Sequence, residues 1–256
     1  MKMLRSFQTG GLQVRVYENR EDLGRAAADM LAERIKERLG SAGPLSMIFA
    51  SAPSQTETLR HLAGQSGIAW DRISGFHLDE YAGAKETDAH SFRKFLEDHL
   101  LSKVTLQSFH GLRGEAADLE EACRDYAALL RQASPRLALL GIGENGHLAF
   151  NDPPVADFED PLDVKVVELD LACREQQVHD GAFAKLADVP ARALTLTVPA
   201  IMRVPEVFAV VPGPRKKHAV KEAVEGRIGT SCPASILRTH AAAHLFLDAE
   251  SAALLS

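Results

Sequence analysis

Apolar and polar positions alternate through Leu12–Tyr17 (LQVRVY), as in a strand with one wet face. Asn19 then stands where a helix cap is needed. Leu23, Ala27, Met30, Leu31 and Ile35 recur at helical spacing, which predicts a helix from residue 20 to about 39. Glu21 and Asp22 in its first turn, Lys36 and Arg38 in its last, and Gly40 as a stop all suit the helix dipole. The unbroken apolar run at 45–50 (LSMIFA) reads as a buried strand, followed by a polar turn over 51–56 and a helix towards Leu62. Further strands are predicted at 73–78, 137–140, 164–169, 194–198, 207–211 and 244–247. Further helices are predicted from about Ser91, over 119–131, and from Pro214 to about Val224.

Strands that alternate with helices imply an α/β fold, with a mostly parallel sheet covered on both faces. Ligands in such folds sit beyond the carboxyl ends of the strands, so the loops that directly follow strands are where chemistry is expected. The 256 residues suit a single domain spanning 1–256, without repeat or linker. A net charge of −6 argues against a nucleic-acid surface but leaves room for a local cationic pocket. Cys123, Cys173 and Cys232 are scattered and odd in number, which reads as reduced thiols and a cytoplasmic protein. No apolar run suits a signal peptide or a membrane span.

Four segments carry candidate chemistry. The first is Gly141-Ile-Gly-Glu-Asn-Gly146, followed by His147 and then Asn151-Asp152-Pro153-Pro154. It has the spacing of a dinucleotide fingerprint but lacks the context, because a helix should open at the third glycine and two prolines arrive instead. It contains a histidine able to move protons near neutrality, and Asp152 is a carboxylate able to orient it. The second is His77-Leu-Asp-Glu-Tyr81 at a strand end. Asp79 and Glu80 diverge there, so one carboxylate at most faces a cleft, either as a base beside a carbonyl or, on the plainer reading, as a cap or solvated turn. The third is the turn holding Ser51, Ser54, Gln55 and Thr56. Its hydroxyls and the free N–H groups of the following helix can hold an anion or simply cap the helix. The fourth is Gly213-Pro-Arg-Lys-Lys217, where three cations crowd a helix start against the dipole, an arrangement that an anion among them explains and a solvated basic patch also allows.

Taken together these segments resemble the glucosamine-6-phosphate deaminases. GIGENGHLAFNDP is similar to that family's GxGxxGHxxFNEP loop and FHLDEY to its F-x-x-DEY strand end. ARALTLTVPAIM, GPRKKHAVKEAVEG and SCPASILRTH follow in the family's order. The resemblance implies a three-layer α/β/α fold with Rossmann-like topology, no cofactor and no metal. It implies that Asp79 carries a proton between C2 and C1 of the opened sugar, that His147 helps open the ring, and that Asn145 and Asp152 orient His147. It assigns Lys216 and Arg174 to the phosphate, together with Gly143 and the 51–56 turn.

Three departures from the family stand out. The turn Ser-Ala-Pro-Ser-Gln lacks the family's glycines, so a phosphate nest must be built from hydroxyl and amide groups. Asp152 replaces a glutamate and is expected to need a water or a shifted loop to reach His147. Asn145 replaces an acid found in some members.

The implied activity is deamination and isomerisation of glucosamine 6-phosphate, or of a related hexosamine phosphate, to a ketose phosphate and ammonia. The alternatives are a 6-phosphogluconolactonase-type hydrolase and a non-catalytic sugar-phosphate sensor. The expected partner is a small sugar phosphate, with no nucleic acid and no membrane. A homo-oligomer is compatible with relatives that range from monomers to hexamers.

Overall fold

The computed structural model describes residues 1–179 and 181–256. The chain begins with an antiparallel hairpin, β1 (Met3–Thr9) and β2 (Leu12–Tyr17), and then enters helix α1 (Arg20–Ala42). Asn19 caps α1 by accepting the N–H of Asp22. Next come β3 (Leu45–Phe49), α2 (Thr56–Ala63), β4 (Ile73–His77), the short β5 (Asp79–Tyr81), α3 (Phe92–Leu96) and β6 (Ser108–His110). The second half comprises α4 (Leu119–Ala133), β7 (Leu137–Leu140), β8 (Val164–Glu168), α5 (Leu171–His179), β9 (Arg192–Leu196), α6 (Val198–Met202), β10 (Glu206–Val211), α7 (Lys217–Glu225) and β11 (Ala243–Asp248).

The central sheet has eight strands in the order β1-β2-β11-β10-β7-β3-β4-β6. All neighbours pair in parallel except β1 with β2. β7, β10 and β11 are buried along their whole length, which is why they read as continuous apolar runs rather than alternating ones. Helix α1 lies against β2, β3, β10 and β11, with α2 beside it. Their apolar positions form one core with the sheet. This is the mostly parallel, helix-flanked α/β sheet that the pattern predicts.

The predicted strands at 164–169 and 194–198 do not join that sheet. As β8 and β9 they pair antiparallel with each other, and β9 pairs with β5 in a separate three-stranded sheet ordered β5-β9-β8. Asp79 lies opposite Thr195 in this register. Only Leu78 separates β4 from β5, so the chain leaves the parallel sheet and enters the small one at the position that carries Asp79. A second apolar cluster of Tyr81, Phe150, Val167, Leu169 and Cys173 supports the small sheet.

β3 continues outward to β4 and β6, whereas β7 continues to β10 and β11 on the other side. The connections therefore diverge between β3 and β7, and a crevice opens at their carboxyl ends. No helix among the described residues is long and apolar enough to cross a membrane.

Candidate active site

A cleft of about 540 Å³ occupies that crevice. The loop after β3 supplies Ser51 and Ser54, the β4–β5 junction supplies Asp79, the loop after β7 supplies Gly143 and His147, and the turn after β10 supplies Arg215 and Lys216. Four separate strand ends thus meet at one place, and Asp79, His147 and Lys216, far apart in sequence, line the same space.

Asp79 and Glu80 point apart, as adjacent strand residues must. Glu80 is fully buried and accepts from the Ser91 hydroxyl at 2.7 Å and from the backbone N–H groups of Phe92 and Arg93 at 3.2 Å each, so it holds the start of α3. Asp79 remains as the carboxylate of the cleft. Burial, and then the charges of Glu80 and Asp152, raise its pKa well above the ordinary carboxylate value. His77, two residues earlier, faces away from the cleft. Its Nε2 accepts the Leu112 N–H at 2.7 Å, and burial keeps the ring neutral, with its pKa lowered to about 3.

His147 is held from behind by a compact network. Its Nδ1 lies 2.8 Å from Asp152 Oδ1, and the same oxygen accepts the Asn145 side-chain amide at 2.9 Å. Asn145 in turn accepts the His147 backbone N–H at 3.1 Å. Asp152 is completely buried, so it never meets the cleft directly. Its reach to His147 is direct, so of the two expected routes, a bridging water or a shifted loop, no water is needed: the 148–151 turn brings Asp152 close enough. Burial pushes the Asp152 carboxyl up, but the charge of the neighbouring His147 and the Asn145 amide outweigh it and leave the pKa below its ordinary value.

Two glycines make this geometry possible. A Cβ on Gly143 would lie 2.2 Å from His147 Cε1, so the imidazole packs on bare backbone. Gly146 has φ +85°, and a Cβ there would meet Cys232 Sγ at 2.6 Å.

His147, Asp152 and Cys173 offer a nitrogen, an oxygen and a sulfur within 4.8 Å of one another. The 2.8 Å Nδ1–Oδ1 separation is a hydrogen-bond distance. Two ligands each about 2.0–2.1 Å from a tetrahedral zinc ion stand further apart, so the imidazole and the carboxylate are too close to hold such an ion between them.

The anion-binding expectations divide. Ser51 is buried at the cleft wall, and its hydroxyl has no hydrogen-bond partner among the described residues, leaving it available to a ligand. Ser54 lines the cleft while accepting from Gln55. Gln55 itself is fully buried and donates to the Val210 carbonyl at 3.1 Å, so it braces the turn from behind. Thr56 begins α2 outside the cleft lining. Lys216 lies in a short 3-10 turn, Pro214–Lys216, that precedes α7, and is buried against the cleft.

Arg174 does not line the cleft. Its guanidinium donates to the carbonyls of Leu186 and Val189, both at 3.0 Å, and ties α5 to the following turn. The cations that do reach the cleft are Arg20, Arg215 and Lys216. Arg215 is bridged to Glu144 at 2.9 Å, and Arg20 to Glu57 at 2.7 Å. Arg20 was legible only as the first residue of a helix. Gln176 and His179 also line the cleft, from a helix the pattern did not reveal.

Sequence comparison gives the family. The family model described as glucosamine-6-phosphate isomerases/6-phosphogluconolactonase matches residues 18–246, and the chain belongs to that family. It is 36% identical over 184 residues to the glucosamine-6-phosphate deaminase of Exiguobacterium sibiricum, covering 72% of this chain and 71% of that one. It is 30% identical over 245 residues to the glucosamine-6-phosphate deaminase of Bacillus cereus, covering 96% and 90%. A solved monomeric glucosamine-6-phosphate deaminase superposes with a TM-score of 0.86 at 29% identity, over 94% of this chain and 99% of that one. The 6-phosphogluconolactonase of Trypanosoma brucei superposes with a TM-score of 0.79 at 18% identity, over 98% and 100%, and shares the fold. The chain is accordingly an enzyme of the glucosamine-6-phosphate deaminase type.

Proposed function

We propose that this protein converts glucosamine 6-phosphate and water to fructose 6-phosphate and ammonia. The observation that carries the reading is the meeting of Asp79, His147 and Lys216 in one cleft, each delivered by a different strand end. Lys216, with Arg215 beside it and the Ser51 and Ser54 hydroxyls opposite in the chain, anchors the phosphate. Anchoring a group remote from the reacting carbons fixes their position and supplies part of the rate.

His147 opens the ring. With Nδ1 engaged by Asp152, Nε2 is the nitrogen that carries a proton between the ring oxygen and the anomeric hydroxyl. Asp79 then removes the proton from C2 and returns it to C1, which moves the double bond and yields the ketose imine. Its raised proton affinity suits this work, because an ionised carboxylate in a buried site is a stronger base than one in water. Water adds to the imine carbon, C2, and ammonia leaves as the ketone forms. The reaction consumes one water, and no electron is gained or lost.

The test is a panel of glucosamine, galactosamine and mannosamine 6-phosphates with 6-phosphogluconolactone. Ammonia is measured alongside ketose phosphate, and lactone hydrolysis is followed separately. Glucosamine 6-phosphate should give ammonia and fructose 6-phosphate in equal amounts. Rapid lactone opening without ammonia release from any amino sugar would replace this reading with the lactonase one. Tight binding of the sugar phosphate without turnover would replace it with a sensor.

A further inference from the structure

Asp152 has a structural feature that His147 and Asn145 do not account for. Both of those residues engage Oδ1. Oδ2 is buried, belongs to a residue with no exposed surface, and has no hydrogen-bond partner among the described residues. A buried carboxylate oxygen without a donor keeps the full cost of its desolvation, so a site that depends on this carboxylate should contain a donor for it.

The Cys173 thiol is positioned to be that donor. Cys173 sits in the first turn of α5, is fully buried, and places Sγ within 4.8 Å of the ligand atoms of both Asp152 and His147. Its backbone N–H is fixed by Asp170 at 2.7 Å, which holds the first turn of α5 in place. We propose that Cys173 is a positioning residue: its S–H donates to Asp152 Oδ2 and fixes the carboxylate in the orientation that holds His147 Nδ1. The thiol does not act as a nucleophile. Burial first, and then the neighbouring charge of Asp152, raise its pKa and keep it protonated.

The charged neighbours that bear on this group come from every element around it. They are His147 from the loop after β7, Asp79 from β5, and Asp170 just before α5. Asp79 and Asp170 are acidic, so the only positive partner for Asp152 within the network is a protonated His147, and the thiol is the remaining neutral donor. Losing the thiol leaves more negative charge to be shared with the imidazole, so the His147 pKa should rise.

The inference rests on the proposed deaminase reading only for its kinetic arm. In that arm, Cys173→Ala should lower kcat about fivefold, the size of one neutral hydrogen bond, with KM unchanged, and should move the acid limb of the kcat profile upward. Cys173→Ser, which retains a donor, should restore kcat to within about twofold of wild type. The second arm needs no turnover: the His147 ring nitrogens are titrated by NMR in wild type, Cys173→Ala and Cys173→Ser. An upward shift in the alanine variant that is reversed in the serine variant supports the proposal even if no amino sugar is deaminated. An unshifted His147 titration in folded Cys173→Ala overturns it, as does an equal shift in both variants, which marks the thiol as packing alone. If wild type releases no ammonia while the titration moves as expected, the deaminase reading fails and the positioning role stands.

Discussion

The proton on Asp79 links catalysis to stability. A carboxylate with a native pKa above its unfolded value of 3.8 binds more protons folded than unfolded between those two values. Stability therefore falls as pH rises from about 3.8 through the native pKa, and above that pKa the folded protein holds an unfavourable buried charge. Asp79→Asn removes that charge while keeping the shape of the side chain. Ammonia release should be abolished, yet the variant should melt at a higher temperature than wild type near neutral pH, with the difference shrinking as pH approaches about 4. Thermal unfolding at a series of pH values checks this. Equal melting temperatures throughout would mean that Asp79 is not held in the desolvated state inferred for it. Glu80 is the contrasting case. Both carboxyls are raised by burial, but Glu80 is met by a hydroxyl and two N–H donors, so one of two adjacent acids caps a helix and the other is left for chemistry.

The loop after β7 operates as a unit, and its glycines explain why a fingerprint-like spacing can serve a different purpose. In a dinucleotide site the glycines admit a pyrophosphate. Here Gly143 admits the imidazole of the chain's own His147, whose Cε1 would lie 2.2 Å from an added Cβ. Gly143→Ala should therefore displace the imidazole and lower kcat at least tenfold, roughly the effect of misplacing a proton-transfer group. The melting temperature should drop far less than for Gly146→Ala, where a left-handed backbone angle and Cys232 are both challenged. Measuring both variants separates the two roles, and a Gly143→Ala enzyme with full kcat would show that His147 tolerates displacement. This loop was legible in the sequence because its residue types cluster within a few positions, and Asp79 because it ends a clearly apolar strand. Other parts were not legible. β1 is an antiparallel edge strand that is exposed over much of its length, so MLRSFQT shows no alternation to read. α5 has few apolar positions, LACREQQVH, and its contribution of Gln176 and His179 to the cleft depends on tertiary packing alone. Arg174 carried the right charge, but nothing in the local pattern announced that the turn at 186–189 presents two carbonyls to it.

For the whole molecule, the decisive feature is that the strand connections diverge between β3 and β7, because this gathers parts with different tasks onto one edge of the sheet. A protein with a formal charge of −6 gathers Arg20, Arg215 and Lys216 around a single cleft, with Arg20 and Arg215 each bridged to a glutamate. Binding there should stabilise the entire fold, because a ligand held only by the native state shifts the unfolding equilibrium towards it. The inactive Asp79→Asn background allows this to be measured with the substrate itself. At a glucosamine 6-phosphate concentration about one hundred times the dissociation constant, linkage gives about 2.7 kcal/mol. For a domain of this size that corresponds to a rise of roughly 5–10 °C in melting temperature. Adding Lys216→Met should raise the dissociation constant by roughly tenfold or more, the weight of a charge-assisted hydrogen bond, and so cut the thermal shift at the same ligand concentration by about half. Glucosamine without its phosphate should give no shift in either protein. A full thermal shift in the Lys216→Met double variant would move the phosphate away from the β10 turn, and with it the direction in which the sugar lies along the cleft.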